Sequence, residues 1–332
     1  MNSYIEAYQH DIEKLLATGM SKRKIAKSLE IPKSSLSDWL RISPMEQPIE
    51  PATQDASQYV CGIVTSKVGV GGSKGRTHIV IPDTQCKPNI NKDYLRWYGE
   101  YIAKKMPDVI VHLGDHADFE SLSSYDKGKK SAEGKRVQKD IEASIEGMNL
   151  LLNPIKELQD SQKKLFGAVL YKPRMVLTLG NHEERLMRHV EANPELEGFL
   201  SYDNLRYREM GWEVYDYLEP VEIDGITYIH YFPNPFTGKP YGGSALNILQ
   251  KVGGSFTQGH KQTLDVATRT LHTGEQQWAI ICGASYPHDE KYKGYCGNKH
   301  WRGIIVKHNV KNGSYDPLFV AIDYLKERYS HK

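Results

Sequence analysis

Five residues in this chain have the types that hold divalent cations, and each closes a short apolar run. His78-Ile79-Val80-Ile81 leads to Asp83, Val109-Ile110-Val111-His112-Leu113 leads to Asp115, and Met175-Val176-Leu177-Thr178-Leu179 leads to Asn181. Two later runs, Thr227 to Phe232 and Ser255 to Gln262, contribute His230 and His260. A single Asp after a strand is ordinarily a turn or cap residue. Five such residues in order are harder to assign to turns, because ligands of α/β sheets gather at the carboxyl ends of strands. Oxygen donors combined with imidazoles suit divalent transition metals. Nearby groups read more plainly. His112 lies inside an apolar strand and is expected to be packed and hydrogen-bonded, His116 belongs to loop structure with a metal or substrate contact as the rival reading, and Cys86 has no adjacent base to make it a nucleophile.

The elements that must position these residues alternate β and α from residue 77 onward. Helices are expected over 91–106 and roughly 132–160, and helical segments from the Asn181 region to about 210. Strands resume at 220–223 and 227–232, joined at Asp224-Gly225, a hairpin signal. Another strand covers 278–282. A last hairpin joins 302–309 to 314–322 through Asn312-Gly313.

The first forty residues read as a separate unit. Ile5, Tyr8, Ile12, Leu15 and Leu16 form one apolar helical stripe that Gly19 stops. Ser21 caps a second helix with Ile25, Ala26 and Leu29 inward. Pro32 opens a third, with Leu36, Trp39 and Leu40 facing a core. This is the helix-turn-helix plan, and residues 20–40 resemble the helix-turn-helix of resolvase and transposase families. DNA is the expected partner. Lys33, Ser34, Ser35, Ser37 and Arg41 would face a groove, while Lys22, Arg23, Lys24 and Lys27 would reach phosphates. A small bundle used for protein contacts is the rival reading. Residues 44–76, with Pro44, Pro48, Pro51 and four glycines from Gly69 to Gly75, read as a linker. The expected organisation is 1–43 helix-turn-helix, 44–76 linker and 77–332 a second domain.

Composition narrows the classes. The 332 residues carry 43 Lys+Arg against 41 Asp+Glu, a formal charge of +2, which argues against a polybasic protein that grips nucleic acid with its whole surface. No apolar run reaches the length of a membrane span. Glu6, Asp11 and Glu13 are unlike a secretory signal. The four cysteines are far apart and suggest neither a disulfide framework nor a thiolate zinc site. A cytoplasmic protein is expected, with no membrane partner and no dimerisation signal.

Taken in order, Asp83-x-Gln85, Gly114-Asp115, Gly180-Asn181-His182-Glu183, His230 and Gly259-His260-x-Gln262 resemble the five motifs of the calcineurin-like metallophosphoesterase superfamily. The resemblance spans about residues 77 to 285. It implies a four-layer αββα sandwich, preceded here by the small all-α unit. It also implies two divalent ions and hydrolysis of a phosphate ester by metal-activated hydroxide. Asp115 would bridge the ions. Asn181, His230 and His260 would complete one position, and Asp83, Gln85 and Gln262 the other. His182 would be the catalytic residue that protonates the leaving oxygen. Arg185 is a candidate phosphate contact, and Asp118 a candidate for orienting His182 or Asn181.

Two departures matter. The family pattern has His where Gln85 and Gln262 stand, and both changes fall on one metal position. That position becomes nearly all oxygen, which favours Mn²⁺ or Mg²⁺ over zinc. The expected cofactors are two divalent ions, Mn²⁺ first, with Mg, Fe or Zn as alternatives. With the appended helices, the expected activity is that of a nuclease or DNA-end phosphatase. The alternatives are a phosphatase on protein or small esters, and a non-catalytic DNA-binding protein on a degenerate scaffold. The stretch from Tyr286 to Trp301 mixes basic and aromatic side chains, which suits either a single-strand grip or an ordinary loop.

Overall fold

The computed structural model describes residues 12, 22–29, 31–32, 75–165, 167, 169–290 and 293–330. The chain divides into two compact units, Met1–Thr65 and Ser66–Lys332.

In the first unit, helix α1 (Lys22–Ser28) buries Ile25 and Ala26 and exposes Lys24 and Lys27. The side chains of Lys22 and Arg23, and all of Lys33, Ser34, Ser35, Ser37 and Arg41, lie outside the described residues, as do most of the expected first and third helices.

In the second unit, eleven strands form two sheets among the described residues. Strands β1 (Arg76–Ile81), β2 (Val109–His112), β3 (Arg174–Thr178), β4 (Glu213–Tyr215), β10 (Gly303–Lys311) and β11 (Ser314–Ala321) make one sheet, in the order β11-β10-β1-β2-β3-β4. The neighbours from β1 to β4 pair in parallel, and β10 pairs antiparallel with β1 and β11. The second sheet has the order β5-β6-β7-β9-β8. It comprises β5 (Val221–Ile223), β6 (Ile226–Ile229), β7 (Phe256–Gln258), β8 (Asp265–Thr270) and β9 (Gln276–Ile281), with β6, β7 and β9 parallel.

The period-2 alternation of strand side chains sorts the core into layers. Ile79, Ile81, Ile110, Leu177, Ile304 and Val306 point outward from the first sheet. They pack on helices α2 (Asp93–Lys105), α3 (Val137–Lys163) and α7 (Ile322–Tyr329). Val80, Val109, Val111, Val176 and Ile305 point the other way and meet Tyr228, Ile280 and Cys282 of the second sheet. That sheet's outer face, through Phe256, Ala279 and Ile281, packs on Ala245, Ile248 and Leu249 of α5 (Ala245–Val252). Each large apolar side chain so buried contributes about 1.5–3 kcal/mol, and together they clamp two sheets between two helical layers. This is a mixed α/β sandwich of four layers.

The expected elements recur with shifted ends. The long helix starts at Val137 and runs to Lys163, and both hairpin signals hold. Asp224 and Gly225, like Asn312 and Gly313, have positive φ at both central positions, as the two-residue turns of twisted hairpins demand. Five elements had no expectation: β4, β8, α5, α7 and the single-turn helix Gly294–Gly297. Strand β8 alternates half-buried and exposed residues at a sheet edge, so its apolar signal is weak. The remaining helices are α4 (Glu184–Ala192) and the single turn α6 (Gly294–Gly297).

Candidate metal centre

The parallel strands of both sheets end at one place. Asp83 follows β1, Asp115 follows β2 and Asn181 follows β3, while His230 follows β6 and His260 follows β7. The side-chain ligand atoms of Asp115, His230 and His260 all lie within 4.8 Å of one another. Asn181 joins them through its Oδ1, which is 3.0 Å from His230 Nε2 and 2.7 Å from His260 Nδ1. His230 donates its Nδ1–H to the Leu113 carbonyl at 2.7 Å and turns Nε2 toward Asp115 Oδ2 at 3.4 Å, where a bound ion would displace the Nε2 proton. Two imidazole nitrogens, a carboxylate oxygen and an amide oxygen therefore converge on one point, and that donor set fits a divalent ion.

The backbone is strained here. Gln85, Asp115, His260 and Gln262 all have positive φ, from 41° to 67°, a region that costs a non-glycine residue of order 1 kcal/mol or more and concentrates at functional sites. Gly180 permits the close approach of two loops: a Cβ there would lie 2.2 Å from Asp115 Oδ1 and 2.4 Å from the Asp115 nitrogen.

Glu183, the last residue of the Gly-Asn-His-Glu motif, had no assigned task in the sequence reading. Its buried carboxylate accepts backbone N–H groups from Asp115 (2.9 Å), His116 (2.7 Å), Ala117 (2.9 Å) and Gly180 (3.0 Å). It thus staples the loop after β2 to the loop after β3. Burial and the Asp115 charge push its carboxyl upward, but four donors require the ionised, acceptor-only form, and the geometry decides for the carboxylate.

The electrostatics follow from burial against pairing. Burial would raise the Asp115 carboxyl, but the imidazoles of His182 and His230 overcome it and hold it well below the usual range. Burial would lower His230, but Asp115 lifts it to about 9. His260, farther from compensating charge, is depressed by burial and by His230 to about 4.

The second metal position of the sequence reading is less complete. Asp83 is fully buried, with Oδ1 accepting the His260 N–H at 3.1 Å and Oδ2 accepting Gln262 Nε2 at 3.1 Å. Burial and Asp115 both raise its carboxyl, a cost that a bound cation would remove. Both amide atoms of Gln85 are buried without a hydrogen-bond partner. A buried orphan carbonyl costs about 1–3 kcal/mol, and an ion at this position would satisfy it. Asp83 and Gln85 therefore fit a cation through oxygen, while Gln262 turns its Nε2–H to Asp83 and its Oε1 to the Tyr286 hydroxyl.

His182 is aligned rather than merged with the ligands. It donates Nδ1–H to Asp118, with Oδ1 at 2.8 Å and the carbonyl at 2.9 Å. Its Nε2 is 3.8 Å from Asp115 Oδ2. Burial would depress His182, but Asp115 and Asp118 raise it. Arg185 donates Nη1 to the Asp118 carbonyl at 2.8 Å, and its Nη2 lies 3.2 Å from His182 Nε2. The guanidinium expected to meet phosphate thus stands at the edge of the site, braced against the catalytic candidate.

Sequence reasoning also missed Lys87. Its buried ammonium lies 3.3 Å from Asp118, 3.0 Å from Glu120 and 2.7 Å from Glu290. Those three carboxylates have metal-site spacing, but Lys87 is their cation. No short-range pattern announces it, since Glu290 is about two hundred residues away in sequence. His112 and His116 share Thr84 Oγ1 at 3.2 and 2.8 Å. His116 also donates Nε2–H to the Ser144 carbonyl at 3.0 Å. Both are structural, and burial depresses both. Burial pushes the Cys86 thiol up to about 12, which removes it as a nucleophile.

Known proteins supply the class. Residues 77–311 match the calcineurin-like phosphoesterase family, and the chain belongs to it. The Gene 54 protein of Mycobacterium phage L5 is similar, 24% identical over 213 residues, covering 62% of this chain and 77% of that protein. A solved structure matched over 74% of this chain and 99% of its own has 14% identity and a TM-score of 0.30, too loose a superposition to carry an argument. Membership of this family implies divalent-metal-dependent chemistry on phosphoesters. Among the described residues, no helix is long and apolar enough to cross a membrane.

Proposed function

We propose that this protein is a divalent-metal-dependent phosphoesterase acting on nucleic acid, as a nuclease or DNA-end phosphatase, brought to DNA by its N-terminal helices. The observation that carries the chemistry is the convergence of Asp115, Asn181, His230 and His260 beside the His182–Asp118 pair. Asp115, Asn181, His230 and His260 would hold one ion. Asp83, Gln85 and the shared Asp115 would hold a second, joined by Gln262 once its amide oxygen turns from Tyr286, with Mn²⁺ preferred because this position is oxygen-rich. Bound ions supply charge against the phosphate oxygens and an acidified water.

The chain's own groups complete the reaction. Asp118 fixes the His182 ring through Nδ1–H, so a proton on Nε2 is aimed at the departing oxygen. Glu183 holds the Asp115 and Asn181 loops in register. The basic character of Lys22, Arg23, Lys24, Lys33 and Arg41 supports DNA as the partner, with the polar Ser34, Ser35 and Ser37 beside them. Linked binding would raise the local substrate concentration.

The test is incubation of the full chain with labelled single-stranded, duplex and nicked DNA, in Mn²⁺ or EDTA. Mn²⁺-dependent cleavage or end dephosphorylation, lost in Asp115→Asn and His182→Ala, is the expected result. Turnover confined to a small aryl phosphate or a phosphoprotein would move the substrate away from DNA. DNA binding without turnover in any divalent ion would remove the enzymatic reading.

A further inference from the structure

The metal centre opens on a cavity of about 390 Å³ whose wall carries two lysines besides the metal ligands. Lys261, Thr263, Lys293 and His300 line it together with Asp115, Asn181, His182 and His260. Lys261 belongs to the loop after β7. Lys293 and His300 belong to the segment between β9 and β10, beyond the last of the five motifs.

That wall is built rather than casual. Lys293 donates to the Tyr286 hydroxyl at 2.6 Å, Tyr286 donates to Gln262 Oε1 at 2.8 Å, and Gln262 donates Nε2–H to Asp83 Oδ2 at 3.1 Å. The direction of this relay is fixed at its end, because a carboxylate accepts only. Tyr286 is fully buried, and the Lys293 ammonium lies 5.3 Å from its ring centroid. The segment is pinned elsewhere too. Glu290 binds Lys87 at 2.7 Å, and Asn298 accepts the Glu290 N–H at 2.8 Å and returns its own Nδ2–H to the Glu290 carbonyl at 2.9 Å. Lys261 is held by the Gly243 carbonyl at 2.5 Å. His300 donates Nδ1–H to the Gly297 carbonyl at 3.0 Å, while its Nε2 is buried with no hydrogen-bond partner.

Two lysines, a threonine and a histidine thus share one cavity with the metal ligands. A substrate with a second phosphate beside the reacting one would give these lysines an anion, and ammonium–phosphate hydrogen bonds are charge-assisted and strong. The cavity's volume is that of a small-ligand site, with room for a nucleotide unit between two phosphates.

We infer that Lys261, Thr263, Lys293 and His300 form a subsite for the phosphate next to the one that reacts, so that the substrate is an oligonucleotide strand rather than an isolated phosphate ester. This rests on the proposed phosphoesterase reading and deepens it. Gln262 then has a second task, since its amide couples the wall to Asp83. The residues of the wall act on affinity and selectivity, not on the bond being broken.

Two measurements test it. The first compares turnover, in Mn²⁺, of a deoxynucleotide p-nitrophenyl ester with that of the same ester carrying a second phosphate on its free sugar hydroxyl. The wild-type chain is expected to favour the doubly phosphorylated ester in kcat/KM by about tenfold or more. Lys293→Met should cut that preference most, Lys261→Met less, and Lys293→Arg should restore part of it. The second is calorimetric binding of deoxythymidine bisphosphate and monophosphate to the Mn²⁺-loaded protein, with the same ranking expected. Equal kcat/KM for the two esters, or a preference that survives both Met variants in folded protein, overturns the subsite. If neither ester turns over, the nuclease form of the proposed function fails, and the binding comparison still decides the subsite: equal affinities reject it.

Discussion

His182 Nδ1 lies 2.8 Å from Asp118 Oδ1, and Asp118 lies 3.3 Å from the Lys87 ammonium. The chain's one candidate acid is therefore held by a carboxylate that is itself held. Burial would raise Asp118, but its bond to His182 brings it to about 2, so it remains a charged acceptor at any working pH. The histidine is raised in turn, against burial, by Asp115 and Asp118.

That relationship gives the first prediction. His182→Ala should lower kcat by about 10²–10⁴, the usual contribution of a positioned acid. Asp118→Asn should lower it less and also move the pH profile. The acid works as imidazolium, so kcat falls as pH rises through the His182 pKa. Removing the Asp118 charge lowers that pKa, and the alkaline limb should shift to lower pH. An alkaline limb that stays in place in Asp118→Asn would break the proposed link.

Glu183 supplies the second. An amide in its place presents N–H groups to backbone donors that now meet carboxylate oxygens. Each stranded donor costs about 1–3 kcal/mol. Glu183→Gln should therefore lower the urea midpoint and weaken metal binding together, because the Asp115 and Asn181 loops lose their common tie. Unchanged stability would show that the staple is dispensable.

Lys307 supplies the third. It lies between the sheets, fully buried, with its ammonium 4.6 Å from the Tyr228 ring centroid and 4.4 Å from that of Tyr315. Burial lowers its pKa to about 7. Between pH 7 and its ordinary value near 10.5, the unfolded chain binds a proton that the folded chain does not. Stability from this group thus increases with pH across that window and levels off below it. Lys307→Met should remove this slope and be more stable at pH 7 by an amount on the order of a few kcal/mol. Urea titrations of both proteins at several pH values would read it. A parallel slope in the variant would place the titration elsewhere.

Much of the site was legible in the sequence because strand ends carry it. Asp83, Asp115, Asn181, His230 and His260 each follow a short apolar run, and the two sheets bring those ends together. What was not legible depends on distance in sequence. Lys87 meets Glu290, Tyr286 meets Gln262, and Glu183 reaches back to the loop after β2, contacts that no local pattern encodes. The edge strand β8 and helix α7 escaped for another reason: β8 turns Asp265, Ala267 and Arg269 rather than large apolar residues to its half-buried face, and α7 is eight residues long, too short for its stripe of Ile322, Leu325 and Tyr329 to stand out. The helix-turn-helix expectation rests on residues of which only α1 and a few neighbours are described.

The glutamines give the fourth prediction. Gln85 has two buried amide atoms without partners, and Gln262 spends its amide on Asp83 and Tyr286. An imidazole at each position would offer a stronger metal ligand than a neutral amide. The double variant Gln85→His, Gln262→His should bind Mn²⁺ or Zn²⁺ more tightly at the second position, as read by calorimetry and by metal content after dialysis. Identical stoichiometry and affinity would show that these residues are not at a metal position.

The most direct measurement is phosphoester hydrolysis by metal-stripped protein as Mn²⁺ is added back, in the wild-type chain and in Asp115→Asn. The account predicts no turnover in EDTA, saturable recovery with Mn²⁺ in the wild type, and little or no recovery in the variant. Turnover that persists in EDTA, or full recovery in Asp115→Asn, would contradict it.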